Sequence, residues 1–255
     1  MFIDTHTHLY SEEFTSDIDE VIKKAINAGV EKFFLPNIDS ASIDVMHAFC
    51  EKYPQHCFPM MGLHPCSVKE NYLEELTIAY NLLKAKKYVA VGEIGIDLYW
   101  DKTFYTQQVD AFTQQINWAF EFDLPIVIHC RNAFDEIYEM LCSFKKLPKG
   151  IFHCFSGNEE QANKIIEATG FKLGIGGVLT FKNSGLDKAI ANIDLKHLVL
   201  ETDAPYLAPI PYRGKRNESS YIRIIAAKLA EIKNCSISDV GNITTANAKE
   251  IFGWS

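Results

Sequence analysis

Eight short runs of apolar, β-branched or aromatic residues, separated by longer amphipathic segments, constrain this chain more than any other feature. The runs are 2–8, 32–36, 57–62, 88–93, 125–129, 149–153, 171–175 and 198–202. Each has the length of a strand, and the segments between them have the length and period of helices. From Asp17 to Ala28, apolar residues recur at Ile18, Val21, Ile22 and Ala25, and Gly29 follows as a stop signal. Segments 72–87, 104–122, 133–144 and 159–168 read the same way. Strand and helix alternating about eight times predict an α/β architecture, a single (β/α)8 TIM barrel. A helical stretch, 236–252, is added after the eighth strand. No linker, low-complexity tract or composition shift divides residues 1–255, so one domain is expected.

Charge and cysteine usage narrow the function classes. Asp and Glu number 33 against 25 Lys and Arg, a formal net charge of -8. No global positive field can draw in nucleic acid, so an anionic substrate must be held by a local patch or by bound cations. Seven cysteines, an odd number without a CxxC pair, suit free thiols in a reducing compartment. Cys130 and Cys154 directly follow His129 and His153, so strand alternation turns them toward the helical layer as core thiols. The N-terminus opens on a strand containing Asp4, with no basic n-region and no long apolar stretch. Neither a signal peptide nor a membrane span is expected, and the location expected is cytoplasmic.

The barrel sorts the histidines, because active sites in this fold lie at the C-terminal ends of the strands. The first run is Phe2-Ile3-Asp4-Thr5-His6-Thr7-His8. A side-chain period of two points His6 and His8 to one face, where two imidazoles can bind one ion. The runs Val89-Ala90-Val91-Gly92-Glu93, Ile126-Val127-Ile128-His129, Ile151-Phe152-His153 and Leu198-Val199-Leu200-Glu201-Thr202-Asp203 also end on metal-ligating types. Four histidines and two carboxylates are enough for two ions, which points to a metal-dependent hydrolase. Glu201 shares the parity of Asp203 and competes with it for the last place. His56 and His197 precede strands, and His47 lies within a helix, so these three are assigned no function.

Finer motifs point to one family. Phe2-Ile3-Asp4-Thr5-His6-Thr7-His8-Leu9, Gly62-Leu63-His64-Pro65, Gly92-Glu93-Ile94-Gly95-Ile96-Asp97 and His153-Cys154-Phe155-Ser156-Gly157 come first. Glu201-Thr202-Asp203-Ala204-Pro205-Tyr206-Leu207 and Arg213-Gly214-Lys215-Arg216-Asn217-Glu218 follow. Together they resemble the TatD family of metal-dependent deoxyribonucleases, within the amidohydrolase-like hydrolases, over nearly the whole chain. One departure is Ser219, where the family commonly has proline. The resemblance implies a two-metal phosphodiesterase cleaving DNA, exonucleolytically on single strands. It implies His6, His8, Glu93 and Asp203 around one ion and Glu93, His129 and His153 around the other, with Glu93 bridging. Two divalent ions lower the pKa of a water, so hydroxide exists near neutral pH, and Asp203 can take the proton as general base. A His and carboxylate set suits Zn, Mn or Mg without deciding among them.

Other residues are candidates for reading the substrate. Arg131 lies two residues past His129 and can fork onto a phosphate, or pair with Asp135 or Glu136. By the resemblance, His64 contacts substrate phosphate or a water on the metal; otherwise it makes a supporting hydrogen bond. Arg213, Lys215 and Arg216 are three cations in four residues on the expected active-site rim, a phosphate-binding loop in an otherwise acidic chain. Tyr99, Trp100 and Tyr206 could stack on bases. The expected partner is DNA or another phosphate-bearing nucleic acid, with no membrane. An amide or ester hydrolase, such as an aminoacyl-tRNA deacylase, would use the same ligands. A non-catalytic metal-binding scaffold is the third possibility, and a missing ligand, which would favour it, is not found.

Overall fold

The computed structural model describes residues 1–254. Eight parallel strands alternate with helices. The strands are β1 (Phe2–Asp4), β2 (Val30–Pro36), β3 (Cys57–Met60), β4 (Val91–Asp97), β5 (Ile126–Arg131), β6 (Gly150–Phe152), β7 (Lys172–Ile175) and β8 (Leu198–Leu200). The helices are α1 (Ile18–Asn27), α2 (Ile43–Lys52), α3 (Tyr72–Ala85), α4 (Tyr105–Glu121), α5 (Phe134–Ser143), α6 (Glu159–Thr169), α7 (Leu186–Ala189), α8 (Ile222–Lys233) and α9 (Ile237–Phe252). Continuous ladders join β1 through β3 and β4 through β8.

Two seams close these ladders into a barrel. At the β3–β4 seam, Met61 N donates to Ala90 O (3.1 Å) and Gly92 N to Met61 O (3.0 Å). At the β8–β1 seam, Thr5 N donates to Leu200 O (3.1 Å) and Asp203 N to His6 O (2.9 Å). Among the described residues, no strand edge is left for another chain to pair with. Among the described residues, no helix is long and apolar enough to cross a membrane.

The added C-terminal helix decides which end of the barrel opens. Ile3, Phe34, Met60, Ala90, Val127, Ile151 and Val199 form a buried layer inside the barrel, and Ala248, Ile251 and Phe252 of α9 pack onto it. Phe252 stacks on Phe34 at 3.9 Å between centroids. Lys172, the register partner of Ile151, is buried there and pairs with Glu250 of α9 at 3.0 Å. The remaining apolar residues fill the space between strands and outer helices. The floor is therefore plugged, and the C-terminal ends of the strands form the open mouth. Phe252→Ala should lower stability by ~3–5 kcal/mol through lost burial and the cavity left behind. Urea denaturation would read this, while kcat at a temperature where the variant stays folded should not change.

Two strands depart furthest from the sequence expectation. β1 stops at Asp4, not at His8, because the chain beyond it alternates between neighbours: Thr5 bonds Leu200, and Thr7 N donates to Phe34 O at 3.0 Å. β4 starts later and runs past Glu93 to Asp97, with a register irregularity between Val91 and Ile94. Glu93 is therefore inside the strand. Gly95 permits the continuation, since a Cβ there would sit 2.0 Å from His129 O.

Candidate metal centre

The mouth gathers residues from the ends of five strands around one carboxylate of β4. Glu93 is 2% exposed, and its two oxygens face different partners. Oε2 lies 3.0 Å from His6 Nε2 and 3.9 Å from His8 Nε2. Oε1 lies 2.9 Å from His129 Nδ1, 3.5 Å from His64 Nε2 and 3.8 Å from His153 Nε2. Asp203 Oδ1 closes the ring, 3.7 Å from His8 Nε2, 3.8 Å from His153 Nε2 and 3.9 Å from His6 Nε2. His6, His8, Glu93, His129, His153 and Asp203 thus meet in one place, although they span almost 200 residues of chain.

Supporting groups set the orientation of most of these rings. His8 Nδ1 lies 3.2 Å from the Tyr10 hydroxyl, which donates to Pro36 O at 2.6 Å. That hydroxyl must accept from His8, so the Nδ1 of His8 carries the proton and its Nε2 lone pair faces the mouth. Asp97 Oδ2 stands 2.8 Å from His129 Nε2, which leaves Nδ1 for the centre. Glu201 Oε1 stands 3.0 Å from His153 Nδ1 and also accepts from Cys154 N. Gly174 makes room for Glu201, because a Cβ there would lie 2.2 Å from Glu201 Oε2. A carboxylate or hydroxyl behind a histidine fixes its tautomer and raises its basicity as a ligand. Asp97 and Tyr10 were not singled out from the sequence. The one available signal was Asp97 within the Gly-Glu-Ile-Gly-Ile-Asp motif.

Asp4 holds the end of β8. Its carboxylate is fully buried and accepts from Thr202 N (2.9 Å) and Thr202 Oγ1 (2.6 Å), the residue before Asp203. Burial pushes the Asp4 carboxyl up to about 7, against the bonds from Ser219 and Thr202. Ser219 fits this network, 3.4 Å from Thr7 Oγ1. Asp203 itself has φ 57°, a left-handed conformation that Asp and Asn tolerate best among side-chain-bearing residues.

The charges suit divalent cations. Burial, with His153 adding to it, drives His6 well below the usual histidine range, and burial takes His8 down to about 4. Burial would raise Glu93, but His6, His64, His153 and the bond to His129 hold it well below the usual carboxylate range. Burial pushes Asp203 up to about 7, with Glu93 and Glu201 adding to it and His153 opposing. His6 is fully buried, yet neither ring nitrogen has a hydrogen-bond partner; the approach to Glu93 Oε2 lacks hydrogen-bond geometry. An unpaired buried imidazole is costly, and a bound cation would satisfy it. Ligand atoms of His6, His8 and Asp203 lie within 4.8 Å of one another, as do those of His6, Glu93 and His153. His64, Glu93 and His129 form a similar group. The Nδ1 of His64, however, accepts from Cys66 N at 3.0 Å, so its Nε2 is the nitrogen left facing Glu93, at 3.5 Å.

The substrate-reading candidates divide. Arg216 is engaged within the chain: it pairs bidentately with Asp17 (2.8 and 2.7 Å), bonds Glu218 (3.1 Å) and lies over the Phe14 ring. That clamp ties the loop after β8 to the start of α1 and gives Arg216 a holding role that the sequence did not announce. Arg213 and Lys215 are exposed and form no ion pair among the described residues, although Arg213 lies 4.4 Å over Phe181. Arg131 is exposed, makes no ion pair with Asp135 or Glu136, and stacks on Tyr99. Tyr206 is half exposed, its ring 5.9 Å from that of His8. Cys154 departs from the expected core orientation. Its φ of 47° breaks strand alternation, and its thiol groups with His153 and Glu201. His47 and His56 lie away from the mouth, bonded to Tyr88 and to Glu31 O. A cavity of about 380 Å³ between the β6 loop and α7 contains none of the site's histidines or carboxylates.

A closed barrel with this His and carboxylate cluster at its mouth is the architecture of the metal-dependent hydrolases, and the known relatives agree. The TatD-related DNase family model matches residues 3–253, so the chain belongs to that family. It is 37% identical over 254 residues to the uncharacterized metal-dependent hydrolase YabD of Bacillus subtilis, covering 99% of each chain. It is 30% identical over 258 residues to the 3'-5' ssDNA/RNA exonuclease TatD of Pectobacterium parmentieri, covering 98% of each. The crystal structure of YJJV, a TatD homolog from Escherichia coli, superposes with a TM-score of 0.93 at 29% identity, covering 100% of this chain and 98% of that one.

Proposed function

We propose that the protein is a phosphodiesterase that removes nucleotides from single-stranded DNA, using two divalent cations. The carrying observation is the division of Glu93, one oxygen toward His6 and His8 and the other toward His129 and His153. His6, His8, Glu93 and Asp203 would hold one ion, and Glu93, His129 and His153 the other. Such ions, when bound, act as Lewis acids that accept charge developing on a phosphoryl oxygen and make water a stronger acid. Asp203 takes a proton from the attacking water, since its carboxylate stands at the mouth, partly open to solvent. Tyr10 and Asp97 hold the rings of His8 and His129, and Glu201 places its carboxylate beside His153, so the charged cluster needs little rearrangement during reaction. Arg213 and Lys215 meet the backbone of the strand. The exonuclease name of the Pectobacterium relative supports the choice of substrate.

The test is turnover by metal-reconstituted protein on end-labelled single-stranded DNA and, separately, on aminoacyl-tRNA. Stepwise shortening of the DNA supports the reading, and release of amino acid with intact DNA overturns it. The Arg213→Ala/Lys215→Ala double variant should weaken DNA binding and reduce the slope of log K against log salt by ~0.7 for each phosphate no longer neutralised. Arg216→Ala should leave that slope unchanged and lower the melting temperature instead. An unchanged slope in the double variant would return both residues to the solvated surface.

A further inference from the structure

We propose that Tyr99, Trp100 and Arg131 form a stacking subsite for one unpaired nucleobase at the rim of the mouth. The proposal rests on the nucleic-acid reading above and names a site within it. Trp100 is 68% exposed and Tyr99 53% exposed, although both follow a strand whose seven residues are all buried. Their rings stand edge to face, 4.8 Å apart at 86°. The Arg131 guanidinium lies 3.9 Å above the Tyr99 centroid and 5.1 Å from that of Trp100. It makes no ion pair among the described residues, so its N–H groups are free for a phosphate beside the rings.

The backbone beneath these rings is fixed. Asp97 Oδ1 accepts from Tyr99 N (2.9 Å) and Trp100 N (3.2 Å), and Gln108 bonds both the N–H and the carbonyl of Asp97. The other oxygen of the same carboxylate orients His129. One buried residue therefore ties the aromatic loop to the metal centre. Asp97 and Arg131 are register partners, two positions beyond Gly95 and His129, roughly 7 Å farther along the strands. A base seated there belongs to a nucleotide next to the reacting phosphate. A rigid loop that leaves two aromatic rings in water is not packing them. Every base offers a π-face, and a planar cation beside the rings suits the base and its phosphate together.

The probes are a dye-labelled oligothymidylate with phosphorothioate linkages and the same strand with its terminal bases replaced by abasic sites. Binding to the metal-loaded wild type, Trp100→Ala and Trp100→Phe is followed by fluorescence anisotropy. Trp100→Ala should weaken binding of the intact strand roughly 5- to 160-fold, the range for one stacked base. Trp100→Phe should recover most of it. The abasic strand should bind the wild type more weakly by a similar factor, with little further loss in Trp100→Ala. Equal binding of the intact strand by wild type and Trp100→Ala overturns the proposal, and so does an equal loss on intact and abasic strands. Cleavage of unmodified DNA by the wild type is measured alongside. Absence of cleavage defeats the nuclease reading, whereas cleavage without the Trp100–base coupling defeats the subsite alone.

Discussion

Replacing Asp203 with asparagine is expected to lower kcat by ~10²–10⁴-fold, the usual contribution of a general base, while the fold and at least one bound ion survive. Asparagine tolerates the left-handed backbone at this position, where φ is 57°, so the loop after β8 should keep its shape. Its amide oxygen can still face a cation, but an amide is a poor base. Glu201→Gln should behave in the opposite sense. Glu201 is fully buried, accepts from Cys154 N and stands 3.0 Å from His153 Nδ1, so an amide there keeps at most part of these interactions. A loss of ~1–3 kcal/mol in stability is expected, with a smaller effect on kcat than at Asp203. Measuring kcat, metal content and melting temperature for both variants separates the roles. Near-normal kcat in Asp203→Asn, together with a dead Glu201→Gln that keeps its metals, would assign the base to Glu201.

Removing metal should abolish activity and lower thermal stability together. Ions that bind only the folded chain stabilise it by ~2.7 kcal/mol per site at a hundredfold excess over Kd. In a chain of this size that corresponds to a melting temperature higher by roughly 5–10 °C for one site. Zn or Mn added back to chelated protein should restore both properties and saturate at two ions per chain. Glu93→Gln should lose most of this stabilisation, because both halves of the histidine set face that one carboxylate. Saturation at a single ion, with Glu93→Gln melting and titrating like the wild type, would remove Glu93 from its shared role.

The barrel was legible because its signal is local. Each strand needed only a short apolar run, and each helix a 3.6-residue period. The helices expected at 104–122 and 159–168 are found as Tyr105–Glu121 and Glu159–Thr169. β4 was placed too early because its second half, Gly95-Ile96-Asp97, is broken by glycine and a charge. Its pairing with His129, Cys130 and Arg131 is a property of the neighbouring strand. The same limit explains Arg216. From sequence it was one cation in a basic loop, and nothing nearby in the chain announced Asp17, which folding brings to within 2.7 Å.

Residue type and parity at the strand ends marked His6, His8, Glu93, His129 and His153 and left the last place open between Glu201 and Asp203, which the family resemblance gave to Asp203; a parallel barrel carries all such ends to one mouth. The tertiary structure alone decided what stands behind them. Asp97 holds His129, Tyr10 holds His8, Glu201 occupies the space left by Gly174, and Asp4 pins Thr202 across the closing seam. It also decided that α9 plugs the floor and that Cys154 turns toward the mouth. The period of a strand fixes the face a side chain takes, but the partner it meets depends on closure and stagger between segments far apart in the chain. Those are set by packing of the whole barrel and leave no mark in any short stretch of sequence.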